Sequence, residues 1–298
     1  MSWLYGSGAR IRYLEPLKDK TTFKIGGRAR YFAEPAGEEE LRFLICLARR
    51  HKERVLILGA GSNLLVDDSG VEALVIRLGS PYFKKIFFKG NSVEAGSGVM
   101  LGRFLRDTAA RGLGGIEFLA GIPGTIGGAL LMNAGEGRGA RAIGDLIDRV
   151  RVMDYNGNIK ILTQKKAGFG YRSSGLDKYV ILSVSFRLKR SAKDRICADI
   201  REYLRQRRHS QDLCLPSAGC VFRNPRRSPA GMLIELAGFK GRSSGGAAVS
   251  ARHANFIVNR RNATARDVLK LMREVKSAVK RKFQVELEPE VKIWRSRK

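Results

Sequence analysis

The chain has 298 residues, enough for two domains of ordinary size with real cores. Apolar residues make up 44%, which excludes a disordered polymer, and no run of about 18 uncharged apolar residues marks a membrane-spanning helix. Lysine and arginine total 56 against 28 acidic residues, a formal charge of +28; the cations are spread along the whole chain without an RNA-binding box or zinc-finger pattern, so a generally basic surface is expected rather than a dedicated nucleic-acid reader.

The N-terminal stretch MSWLYGSGARIRYLEP carries no apolar h-region and reads as that of a cytoplasmic chain. Residues 38–51, EEELRFLICLARRH, predict a helix: Leu41, Leu44, Ile45 and Ala48 fall at helical spacing, with glutamates at the start and arginines at the end. RVLILG (54–59) reads as a short strand, followed by the loop GAGSNLLVDD and the strand ALVIRL. FKKIFFKGNSVEAGSG (83–98) predicts a hairpin turning at Gly90 and Asn91, and LGRFLRDTAARGLGG a helix closed by Gly112. RVRVMDYNGNIKILT predicts a second hairpin turning at Asn156 and Gly157, and YVILSVSFRL an apolar strand.

After the basic stretch LKRSAKDR the pattern changes, which sets a boundary near residues 190–200. The last region ends in a helix capped by Thr264 with Asp267 three residues on, and Val268, Leu271, Met272, Val275 and Val279 form its apolar stripe. The expected class is α+β, divided into residues 1–80, 81–195 and 196–298. Cys46, Cys197, Cys214 and Cys220 are scattered without a CxxC, which fits a reducing compartment, and Cys214 and Cys220 lack partners at finger spacing, so no metal site is expected.

Two glycine-rich stretches could hold phosphates. LGAGSNLLV (58–66) brings Gly59, Ala60, Gly61, Ser62, Asn63 and Leu64 into a turn after a strand; Leu64 stands where the dinucleotide fingerprint needs its third glycine, so a standard Rossmann site is disfavoured. GIEFLAGIPGTIGGALLMNAGEG (115–137) places Gly121, Pro123, Gly124, Thr125, Gly127 and Gly128 in a loop entering a short helix whose free amides are expected to face an anion. Two such loops together point to a pyrophosphate-containing cofactor.

The segments TTFKIGGRARYF, ILGAGSNLLV, GIPGTIGGALLMNAGEG, FGYRSS, SAGCVFRNP, GGAAVSARHANFIVN and LEPEV follow one another as in the UDP-N-acetylenolpyruvoylglucosamine reductase family, which the chain resembles from Thr21 to Trp294. It is similar to the shorter class, which lacks an inserted substrate-capping loop, since there is no room for one between Gln206 and Cys220. The resemblance implies two N-terminal lobes that bind FAD, as in the vanillyl-alcohol oxidase (PCMH-type) superfamily, and a C-terminal α+β substrate domain. It also implies an NADPH-dependent flavoprotein of peptidoglycan precursor synthesis that reduces UDP-N-acetylglucosamine enolpyruvate to UDP-N-acetylmuramate, working as a cytoplasmic monomer. In the implied reaction a hydride from flavin N5 reaches the vinyl carbon and a proton reaches the carbon alpha to the carboxylate.

By the same resemblance Arg172, in GFGYRSS, matches the catalytic arginine, and a planar guanidinium suits a carboxylate whose charge grows; Tyr171 beside it shapes the pocket. Glu290, in LEPEVKIW, matches the catalytic glutamate, either protonated through burial or acting through Arg172; Glu288, two residues earlier, is its nearest rival. Cys220 falls where most members have the serine that protonates the alpha carbon, and a thiol of pKa about 8.5 can serve as that acid. A nucleophilic Cys220 has no histidine near it in sequence. Arg223 and Asn224 are assigned to substrate binding, and His253 and Asn255, in ARHANF, to the neighbourhood of the substrate pocket. The rival readings are a flavin oxidoreductase acting on another substrate and a basic nucleic-acid-binding protein on the same fold.

Overall fold

The structure is a computed structural model that describes residues 10–137 and 140–296; residues 1–9 of the N-terminal stretch read above lie outside the described residues. In chain order it begins with β1 (Ile11–Pro16), β2 (Arg28–Ala33), α1 (Glu38–Arg50), β3 (Val55–Leu58), β4 (Leu64–Val66) and β5 (Val71–Arg77). Then come β6 (Ile86–Lys89), β7 (Ser92–Gly96), α2 (Leu101–Ala109), β8 (Leu113–Gly114), α3 (Ile126–Leu131), β9 (Ile147–Asp154), β10 (Ile159–Thr163), α4 (Gln164–Ala167), β11 (Tyr179–Arg187) and β12 (Lys189–Arg190). The chain closes with α5 (Lys193–Ser210), β13 (Ser217–Cys220), α6 (Ala230–Leu236), β14 (Ser243–Ser244), β15 (Ala247–Val249), β16 (Phe256–Asn259), α7 (Ala265–Phe283) and β17 (Lys292–Trp294).

The chain divides into two compact units, and the division is interleaved. The first comprises Met1–Tyr13, Tyr31–Ala60 and Ala73–Arg205; the second comprises Leu14–Arg30, Gly61–Glu72 and Gln206–Lys298. The 196–298 segment expected from the sequence therefore starts inside α5, and two earlier stretches join the C-terminal unit. The basic stretch LKRSAKDR runs through β12 into α5.

The first unit has two cores. In one, the α1 stripe Leu41, Leu44, Ile45 and Ala48 packs with Leu74 and Ile76 of β5, which pairs in parallel with β3. In the other, five antiparallel strands in the order β10-β9-β11-β7-β6 carry Val150, Val152, Val184 and Phe186 against α2 and α3. Both turns expected from the sequence close hairpins in this sheet, with Gly90 at φ 60° and Gly157 at φ 83°, the left-handed region glycine enters without strain. Arg151 pairs with Glu38, and the ion pair with Tyr82 beside it holds the Glu38 carboxyl below its ordinary range against the opposing effect of burial.

In the second unit, β13-β16-β15-β14 form an antiparallel sheet. Helix α7 covers it with Val268, Leu271, Met272, Val275 and Val279, and Thr264 and Asp267 close the capping box at its start. Phe23, Ile25 and Leu65 belong to this same core. Strand β17 pairs in parallel with β4, Lys292 opposite Leu64. Among the described residues no helix is long and apolar enough to cross a membrane, and no cluster of histidine, cysteine and carboxylate side chains could hold a metal ion.

Candidate active site

In the first unit the end of β3 runs close to the start of α3. A Cβ on Gly59 would lie 2.8 Å from Thr125 Oγ1, and one on Gly127 would lie 2.9 Å from Ser97 Cβ, so glycine is required at both places. The helix-start amides are not open: Ile126 N donates to Val99 O at 2.8 Å, Gly127 N to Ser97 O at 2.9 Å, and Gly128 N to Thr125 Oγ1 at 3.3 Å. The expectation that α3 offers these amides to an anion is thus corrected, because the protein's own acceptors take them. What remains is a glycine-lined backbone surface around Ser97, which is 4% exposed and whose Oγ has no hydrogen-bond partner among the described residues. A buried hydroxyl left without a partner is a place where a ligand's polar atom fits. Gly121 at φ 78° and Gly124 at φ 151° turn the loop that leads in, with Pro123 between them.

In the second unit the continuation of the first glycine loop is tied to neighbouring backbone. Gly61, at φ 66°, passes so close to Lys20 O that a Cβ would lie 2.3 Å from it, and Thr22 N donates to Gly61 O at 3.2 Å. Asn63, expected at the cofactor, donates Nδ2 to Glu290 O at 3.2 Å and accepts from Lys292 N at 3.0 Å. It thereby sets the backbone on both sides of Val291. Ser62 lies between the two glycine-loop ties, and Leu64 starts β4 as a buried strand residue.

Cys220 ends β13, where the pairing with β16 slips between Ser217 and Cys220 at Gly219, φ 73°. A bulge of this kind redirects the side chain that follows, and Cys220 is half-buried. Just beyond it, Val221 N donates to Asn255 O, and Val221 O accepts from Glu290 N, both at 2.8 Å. Cys220 and Glu290 are thus carried on hydrogen-bonded neighbouring segments. Asn255, 2% exposed, acts as a surrogate peptide: Oδ1 accepts from Phe222 N at 2.9 Å and Nδ2 donates to Phe222 O at 2.7 Å. Arg223 N donates to Glu288 O at 2.9 Å, and its guanidinium lies 3.8 Å from the Glu288 carboxylate. That carboxylate is 74% exposed, whereas Glu290 is half-buried, which separates the two candidates.

Asn224 accepts from Ala230 N at 3.0 Å and so caps α6. His253 lies against Phe256 at 4.8 Å between ring centroids, and its Nδ1 accepts from Asn255 N at 3.2 Å. Burial pushes the imidazole pKa down, and the Lys240 ammonium adds to the effect.

Tyr171 and Arg172 form the tip of a tight reversal in the first unit. Gly170 N donates to Ser173 O at 3.0 Å, and Ser173 N returns the bond to Gly170 O at 3.3 Å. Arg172 sits at φ 52°, a conformation that costs a non-glycine residue about 1–2 kcal/mol. Its guanidinium lies 5.4 Å from the Tyr171 ring centroid.

The family model for the C-terminal domain of UDP-N-acetylenolpyruvoylglucosamine reductase matches residues 209–294, which hold Cys220, Asn255 and Glu290. A model described as an FAD binding domain matches residues 29–163, which hold both glycine loops. UDP-N-acetylenolpyruvoylglucosamine reductase 2 of Symbiobacterium thermophilum is 45% identical over 96% of this chain and 92% of its own length. The chain belongs to the UDP-N-acetylenolpyruvoylglucosamine reductase family. Within that family, the crystal structure of the reductase from Thermus caldophilus is similar with a TM-score of 0.82 and 36% identity, covering 96% of this chain and 99% of that one. A cholesterol oxidase shares the fold alone, at TM-score 0.50 and 15% identity over 62% of this chain and 39% of its own.

Membership makes the protein an FAD-dependent oxidoreductase with an FAD-binding region and a C-terminal α+β domain. Ser97 and the glycines around it fit the flavin nucleotide, on the strength of that partnerless buried hydroxyl and the close backbone approaches. Sequence reasoning missed Ser97 because a serine in EAGSGV has no spacing signature, and it gave Asn255 little weight because the peptide-like bonding joins residues distant in sequence.

Proposed function

We propose that the protein reduces UDP-N-acetylglucosamine enolpyruvate to UDP-N-acetylmuramate at the expense of NADPH, as a step in peptidoglycan precursor synthesis. FAD, when bound, would supply the redox chemistry, a hydride transfer from NADPH to the vinyl carbon. The chain's own groups manage charge and proton. Arg172 and Glu290 stabilise the enolate that forms, with Tyr171 shaping the pocket and Arg223, Asn224 and His253 holding substrate. The Cys220 Sγ–H bond breaks as its proton forms the C–H bond at the alpha carbon, and the thiolate is reprotonated from solvent, which its half-exposed position allows.

The observation that carries this reading is the backbone bond from Glu290 N to Val221 O, which holds Cys220 and Glu290 on neighbouring segments just after a register shift in β13. Gly59, Ala60, Gly61, Ser62, Asn63, Leu64 and the loop from Gly121 to Gly128 are assigned to the cofactor, with Ser97 added to them. The four free cysteines support a reducing, cytoplasmic setting, and we read the chain as a monomer without a specific nucleic-acid partner. The test is direct: purified protein should show a flavin spectrum and oxidise NADPH only when the enolpyruvyl sugar nucleotide is present. NADPH oxidation that ignores this substrate would point to an oxidoreductase of another substrate class.

A further inference from the structure

Asn133 follows α3 in ALLMNAGEG, at φ 43° and 8% exposed. Asn133 N donates to Leu130 O at 3.0 Å, and Ala134 N to Ala129 O at 2.8 Å, the two bonds of a Schellman helix end with Asn133 at its left-handed position. Glycine is the ordinary residue there and would complete that backbone with less strain. The asparagine side chain does what glycine cannot. Its Nδ2 donates to Gly170 O at 2.9 Å and its Oδ1 accepts from Gly144 N at 3.0 Å. Two residues beyond the tip on the other side, Ser174 Oγ donates to Leu131 O at 2.9 Å. The C-terminal end of α3 therefore grips both flanks of the two-residue tip that carries Tyr171 and the strained Arg172.

We propose that Asn133 is a positioning residue for Arg172: its carboxamide ties Gly170, and with it the tip, to the helix that follows the glycine loop. The proposal rests on the role given to Arg172 above. Arg172 occupies an unfavourable backbone conformation, so the tip needs an outside hold to keep one orientation of the guanidinium. Gly170, bonded to both Ser173 and Asn133, is the point through which that hold acts.

The test uses the flavin-loaded enzyme and separates its half-reactions. Asn133→Gly keeps the helix-end backbone and deletes only the carboxamide bonds. It should retain its flavin, with a melting temperature lowered only as far as the loss of two side-chain hydrogen bonds requires, while reoxidation of the NADPH-reduced enzyme by the enolpyruvyl sugar nucleotide, measured well below that temperature, slows by about 10–100-fold, the scale of a small misplacement. Amide exchange at Ser173 should quicken in the same variant. Asn133→Asp loses the donor at neutral pH but regains it when the carboxyl is protonated, so its reoxidation rate should climb relative to wild type as pH falls. In an Arg172→Ala background, Asn133→Gly should add less than about a twofold loss, because two residues acting through one effect are not additive.

A wild-type reoxidation rate in Asn133→Gly, with Arg172→Ala slow, overturns the positioning role alone. A wild-type rate in Arg172→Ala overturns the role of Arg172 itself. If Asn133→Gly loses flavin, Asn133→Asp decides the matter: a rate that does not rise with acid overturns the proposal.

Discussion

Replacing Asn255 by alanine removes a side chain that satisfies both backbone groups of Phe222, at 2.9 and 2.7 Å, in a setting where Asn255 and Phe222 are each 2% exposed. Each buried group left without its partner costs about 1–3 kcal/mol, so Asn255→Ala should destabilise the C-terminal unit by about 2–6 kcal/mol. That is a large part of a typical domain stability of about 5–15 kcal/mol. Urea unfolding followed by Trp294 fluorescence reads this unit, with Trp3→Phe as the background so that one of the two tryptophans reports alone. Asn255→Asp keeps the acceptor for Phe222 N but sets a carboxylate against Phe222 O, and should be at least as damaging at neutral pH. Because Cys220 lies two residues before Phe222, substrate-driven flavin reoxidation should fall as well. A loss of stability below about 1 kcal/mol in Asn255→Ala would refute the reasoning, since it would mean that water or a shifted backbone replaces both bonds.

Three further outcomes are expected. Cys220→Ala should slow flavin reoxidation by substrate about 100-fold or more, the usual worth of a positioned acid, and slow reduction by NADPH far less, whereas Cys220→Ser should keep substantial turnover; stopped-flow half-reactions decide both. Ser97→Ala removes a buried hydroxyl that has no hydrogen-bond partner among the described residues, so the apoprotein should become more stable by about 1 kcal/mol while FAD binds about tenfold more weakly; calorimetry of apoprotein and flavin titration read the opposite signs. His253 has its pKa pulled below the ordinary 6.5, so below about that pH the unfolded chain binds the extra proton first and stability falls as pH drops, until the folded imidazole is protonated too. A melting-temperature series from pH 7.5 to about 5 should therefore flatten in His253→Gln, and an unchanged slope would assign the acid loss to other groups.

Much of the fold was legible because its signals are local. The α1 stripe, the Asn156-Gly157 turn and the Thr264–Asp267 box each fit within a few residues, and each forms where expected. Helix α5 was missed because charged residues crowd it: only Ile196 is fully buried, although Ile200, Tyr203 and Leu204 continue its stripe at helical spacing. The two- to four-residue strands of the C-terminal sheet are too short to show alternation. At the site, the motif order singled out Arg172, Cys220 and Glu290 as candidates, but the asparagines that hold the backbone around them are tied across long stretches of chain, which no window of sequence displays. The α3 amides show the reverse error, where a loop that looked open proves to be internally satisfied.

The interleaving of the chain has a consequence for how the protein is made. The C-terminal unit draws Phe23, Ile25 and Leu65 into its core, and its last strand, Lys292–Trp294, lies against a strand that begins at Leu64. During synthesis the early segments leave the ribosome long before their partners do, and must wait, apolar side chains uncovered, until nearly the whole chain has been made. A fragment beginning at Gln206 would lack those three side chains and would open a gap in its core. The second unit is therefore a late event in biogenesis and cannot be released as a single continuous piece by one proteolytic cut.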